Sequence, residues 1–84
     1  MDPLSVVRES AFVASSREQF AANLRRQRDK SGLSQEALAD VCDLHRTEIS
    51  LLERSKRSPR LETIVILAKG LGLSSPGELL DGIS

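Results

Sequence analysis

The chain has 84 residues, enough for one small domain, and its 12 Lys plus Arg balance its 12 Asp plus Glu. A neutral chain gives no support to the usual argument that a basic protein binds nucleic acid, so charge matters here only through its distribution. Aromatic residues, Gly and Pro are scarce and the alternation of strands is missing, which excludes a β-rich architecture and predicts an all-α fold.

In chain order, Asp2-Pro3 is a helix start, with Leu4, Val7, Ala11 and Phe12 at mostly helical spacing, so residues 1–15 are read as an N-terminal extension forming a short extra helix. Ser16-Arg17-Glu18-Gln19 has the form of a capping box, which starts the domain at residue 16 and its first secure helix over 17–31. Phe20, Ala21 and Leu24 form its apolar stripe, and Gly32 is its left-handed cap.

Ser34 then caps a two-turn helix that buries Ala37, Leu38 and Val41. A second turn at Cys42-Asp43-Leu44 places Asp43 in the left-handed region, which short polar side chains tolerate. Arg46 to Arg54 form the next helix, with Ile49 and Leu52 inward and Arg46, Thr47, Ser50 and Leu51 on other faces. After Ser58-Pro59, residues Leu61, Ile64, Val65, Leu67, Ala68 and Leu71 make a broad packing face that ends near Gly72. Ser75-Pro76-Gly77-Glu78 combines an N-cap, a first-turn proline and an N3 acid, starting a last short helix with Leu79, Leu80 and Ile83. That gives five helices over residues 17–82.

Basic residues gather in two short runs: Arg25, Arg26, Arg28 and Lys30, then Arg54, Lys56, Arg57 and Arg60. They give a neutral protein one positive face. A single His and a single Cys make no metal site or catalytic constellation, and no phosphate-loop pattern occurs, so neither an enzyme nor a cofactor is expected. Cys42 reads as a small buried hydrophobe. No apolar run is long enough to cross a bilayer, and the lone cysteine suits a reducing cytoplasm.

The runs Leu33-Ser34-Gln35-Glu36-Ala37-Leu38-Ala39, Thr47-Glu48-Ile49-Ser50-Leu51-Leu52-Glu53-Arg54 and Leu61-Glu62-Thr63-Ile64 resemble the Xre family of lambda-repressor-like helix-turn-helix proteins. The resemblance extends from about Phe20 to Leu80, and the short length is similar to that of restriction-modification controller proteins. It implies a five-helix domain with Ser34 to Cys42 as the supporting helix and Arg46 to Arg54 as the recognition helix. Such a helix buries one side and offers its N-terminal half to base edges in the major groove.

The resemblance gives base contacts to Arg46, with Thr47, Glu48, Ser50 and Leu51 as further candidates along the same helix. Arginine can hold guanine O6 and N7 with two hydrogen bonds. Gln35, at a helix N-terminus where free N–H groups favour an anion, is assigned to phosphate. Arg28, His45, Arg54, Lys56 and Arg57 are the other expected phosphate contacts. Arg28 and Glu53 match a pair that joins the first and third helices of lambda-like domains, and the proposed bridge also aims Arg28 at phosphate. His45 stands where the family commonly has a Ser, Thr or Asp cap, and Ser55 where it has Gly, so a distorted turn or a positive φ is expected at Ser55.

The expected function is therefore a transcriptional regulator that binds double-stranded DNA, a pseudo-palindromic operator, as a homodimer joined through Leu79, Leu80 and Ile83. The alternative is an antitoxin that represses its own operon and holds a small protein partner through residues 1–15. No membrane partner is expected.

Overall fold

The computed structural model describes residues 3–83, with side chains from Val13 onward. Four α-helices follow one another: α1 (Pro3–Ser31), α2 (Gln35–Cys42), α3 (Arg46–Glu53) and α4 (Leu61–Gly70). A 3-10 turn, Pro76–Leu79, stands where a fifth helix was expected. No strand occurs among the described residues.

The capping box at Ser16 does not start a helix. Residues 4–31 contain neither Pro nor Gly, so nothing interrupts α1, and the backbone N–H groups that a cap would satisfy are already bonded within the helix. Gln19 instead donates from Nε2 to Asn23 Oδ1 at 3.0 Å, one turn further along. The leading segment and the expected first helix are thus one helix. The side chains of Leu4, Val7, Ala11 and Phe12 lie outside the described residues.

All four helices end in the same way. Leu33 N–H reaches back to Arg28 O, Leu44 to Ala39 O, Lys56 to Leu51 O and Leu73 to Ala68 O, each bond closing a Schellman turn. The motif needs one left-handed residue, and Gly32, Asp43, Ser55 and Gly72 supply it with φ of 74°, 55°, 62° and 71°. Glycine takes this conformation freely. The two ends that lack it, at Asp43 and Ser55, flank α3.

Phe20, Leu24, Leu38, Ile49, Leu52, Ile64, Leu67 and Leu79 meet in one core, completed by Ala39, Cys42 and Ala68. Burying each large aliphatic side chain contributes ~1.5–3 kcal/mol. Two expected core residues are outside it: Val41 is 59% exposed and Leu61 is 71% exposed. Helix α2 packs against both α3 and α4, which turns Leu38, Ala39 and Cys42 inward and leaves Val41 outward. Gly70 is half of that close approach, because a Cβ there would collide with Cys42 Sγ. Burial pushes the Cys42 thiol up from its usual range, in keeping with a small hydrophobe.

Candidate nucleic-acid interface

Helix α2 begins at a satisfied cap: Ser34 Oγ accepts from Ala37 N–H at 3.0 Å. Helix α3 does not. His45 has the extended backbone of an N-cap, but its exposed side chain makes no capping bond. No side chain caps the first turn of α3, where Glu48 N–H bonds back to His45 O at 3.0 Å and Arg46 and Thr47 project into solvent. Ile49 and Leu52 anchor the opposite side of the helix in the core.

Ser50 and Leu51 are half-buried along the next turn. Glu48, also half-buried, lines a polar groove with Leu44, Arg57, Ser58, Arg60 and Thr63. Its surroundings are the turn between α3 and α4, with two arginines across from it. Arg54, Lys56, Arg57 and Arg60 are all exposed, and among the described residues the ion pairs are those that Arg28 makes with Glu53 and Asp29. The second basic run is thus an array of cations open to an anion, at one end of α3.

The part of the site that holds α3 in place is buried. Glu53 is 2% exposed, and its carboxylate accepts from Arg28 Nε at 2.6 Å, Arg28 Nη2 at 2.9 Å and Gln35 Nε2 at 3.2 Å. Arg28 Nη1 donates to Leu33 O at 3.0 Å, and the bond to Glu53 raises the guanidinium pKa further. Arg25 closes the C-terminal end of α3 by donating to the Glu53 carbonyl at 2.6 Å. One carboxylate therefore fixes α1, the start of α2 and the end of α3 together.

This geometry alters several expectations. The Arg28 guanidinium is turned inward onto Glu53 and Leu33, which makes it a brace beneath the surface and not an open cation. Gln35 is half-buried and tied to the same carboxylate, so the amide at the α2 N-terminus is held in one orientation. Leu79 is fully buried in its own core and has no surface to offer a second copy. Leu80 is exposed, Ile83 is partly buried, and the two share an apolar groove with Val13, Phe20 and Pro59.

Three further residues matter that were not singled out for a role. Arg25 was read only as one of a basic run, whereas its contact is with a carbonyl 28 positions away. Asn23 is fully buried and donates from Nδ2 to Leu79 O at 3.0 Å and to Asp81 O at 2.8 Å. Its signal was available: a polar residue one turn after Phe20 and next to Leu24 falls on the apolar stripe. Thr63, in the first turn of α4, is buried at the floor of the polar groove.

Among the described residues no group of three metal-binding side chains occurs, and no helix is long and apolar enough to cross a membrane.

A short capped helix, a tight left-handed turn and a second helix braced from behind define a helix-turn-helix unit. The family model HTH_3, helix-turn-helix, matches residues 24–79, and the chain belongs to that family. It is 47% identical over 60 residues to control protein C.SmaI of Serratia marcescens, a match covering 71% of each protein. It is 52% identical over 52 residues to control protein C.BamHI of Bacillus amyloliquefaciens, covering 62% of this chain and 63% of that one. Among solved structures, the restriction-modification controller protein C.AhdI of Aeromonas hydrophila superposes with a TM-score of 0.74 at 37% identity, over 77% of this chain and 97% of that one. The hypothetical transcription factor NHTF from Neisseria gives 0.74 at 38% identity, over 77% and 74%.

Proposed function

We propose that the chain is a sequence-specific regulator of the control-protein type that occupies a pseudo-palindromic operator as a homodimer, with α3 of each copy in the major groove. The observation that carries this reading is α3 itself. Its inner side is locked by Ile49, Leu52 and the buried Glu53, while its first turn leaves Arg46 and Thr47 free to meet base edges.

In this mechanism the charge of the whole chain is immaterial, because Arg54, Lys56, Arg57 and Arg60 present local positive charge to the phosphates beside α3. Gln35, oriented by Glu53, bonds a phosphate at the N-terminus of α2, where the helix dipole also favours an anion. These contacts set the register, and Arg46 with Thr47 then reads sequence. Glu48 faces the arginine-lined groove, which supports a part in shaping the phosphate contact in preference to reading cytosine.

Selection of bound sequences from a random DNA pool, followed by gel shift, tests the reading. A two-fold related consensus is expected, and Arg46→Ala should relax one symmetric position by ~1–3 kcal/mol per half-site while the salt slope stays nearly constant. Binding that is weak and indifferent to sequence would overturn it.

A further inference from the structure

Helix α1 grips one residue of α3 twice. Arg28 holds the Glu53 carboxylate, and Arg25, three positions earlier on the same face of α1, donates from Nη1 to the Glu53 backbone carbonyl at 2.6 Å. The carbonyls of Ser50, Leu51 and Leu52 accept from backbone N–H groups of the turn that follows α3. The Glu53 carbonyl, at the negative end of the helix dipole, is met by the Arg25 cation. The two grips act differently. The carboxylate tie sets where α3 lies, whereas the carbonyl tie sets how the planar peptide between Glu53 and Arg54 is turned, and so the direction in which the chain leaves α3.

That direction governs the basic turn. Arg54, Lys56 and Arg57 are exposed cations, and among them Ser55 stands at φ 62°. A residue with a Cβ keeps a left-handed φ only where its surroundings impose it. The bond from Lys56 N–H to Leu51 O is one constraint, made within the turn itself. Arg25 supplies a second, from a different helix.

We infer that Arg25 is a positioning residue for DNA binding: by fixing the Glu53 carbonyl it holds residues 54–57 in the conformation that presents Arg54, Lys56 and Arg57 together to the phosphate backbone. Its guanidinium is committed to the end of α3 and acts through the turn. The inference rests on the operator reading and adds to it a residue that serves binding without touching DNA.

Gel shift across a salt series, with hydrogen exchange on the free protein, tests it. Arg25 is exposed, so Arg25→Met leaves the core intact. That variant should bind the operator about tenfold more weakly and flatten the salt dependence by more than the one phosphate contact that a single lost cation explains. Arg25→Lys still brings a charged donor to the carbonyl and should bind within about threefold of the unmodified chain. In a Ser55→Gly background the turn takes its φ freely, and there Arg25→Met should cost only about threefold. In the free protein Arg25→Met should quicken exchange of the Ser55 and Lys56 N–H groups about tenfold and leave those of Ile49 and Leu52 unchanged. Unchanged exchange at Ser55 and Lys56 would overturn the inference. So would an equal loss of affinity in both backgrounds with a salt slope lower by one contact, which would make Arg25 itself a phosphate contact. A chain without specific DNA binding whose turn still loosens on Arg25→Met would overturn the operator reading and support the hold on the turn.

Discussion

The helix-turn-helix unit and the C-terminal segment are both fastened to α1 by one buried polar side chain, but by opposite chemistry. Glu53 carries a charge into the core, and Arg28 meets it with two hydrogen bonds. Asn23 is neutral, and its amide holds two backbone carbonyls at Leu79 and Asp81 while accepting from Gln19 and Arg26. A buried ion pair contributes little net stability when intact and costs a great deal when half of it is removed, whereas an amide loses only the bonds it made. The DNA-facing unit is thus held by an all-or-none tie, and the end of the chain by a graded one.

That contrast can be broken first at Arg28. Arg28→Leu leaves Glu53 buried without its cation and should cost ~3–5 kcal/mol in urea denaturation. In a double-mutant cycle with Glu53→Gln the two changes should couple strongly, and additive behaviour would show that the pair braces nothing. Removing Asn23 should do less. Asn23→Ala leaves two carbonyls near the chain end unpaired, for ~1–3 kcal/mol, and hydrogen exchange should quicken at Leu79 to Ile83 before it changes in α3. If α3 exchanged first, the two anchors would not be separable.

The smallest expected effect sharpens the comparison at the end of the recognition helix. Ser55 holds φ at 62°, a conformation that costs a residue with a Cβ ~1–2 kcal/mol and costs glycine almost nothing. Ser55→Gly should therefore raise stability, by up to ~1 kcal/mol after the greater chain entropy of glycine is counted, as read from the denaturation midpoint. A loss of stability would mean that the Ser55 side chain supports the turn.

The turns show which features could be read from residues alone. Ser34, Gly32, Asp43 and the Ser75-Glu78 box act on backbone groups a few positions away, so their roles are written in adjacent residues. Ser16-Arg17-Glu18-Gln19 carries the same local pattern and fails as a start, because a capping box works only where the N–H groups are free and α1 had already begun. In the eight-residue α2, Val41 was placed inside because so short a helix carries barely two turns of periodicity, too few to choose between adjacent stripes. The pairing of Arg28 with Glu53 came from the family resemblance and not from any local pattern, and Gln35's place beside them was not foreseen.

The sequence by itself determined the four helices' stop signals, the core residues Ile49 and Leu52 of α3 and Ile64, Leu67 and Ala68 of α4, and the exposed Arg46 and Thr47 of α3, since each depends on local capping or on a stripe repeated over several turns. Only the tertiary structure decided that Glu53 collects Arg28 and Gln35, that Asn23 binds the chain end, and that Leu79 belongs to the core while Leu80 faces the groove. Those outcomes join residues 18 to 58 positions apart. A buried polar side chain must find a partner, but which partner is fixed by how the helices pack and not by the side chain's own neighbours in sequence.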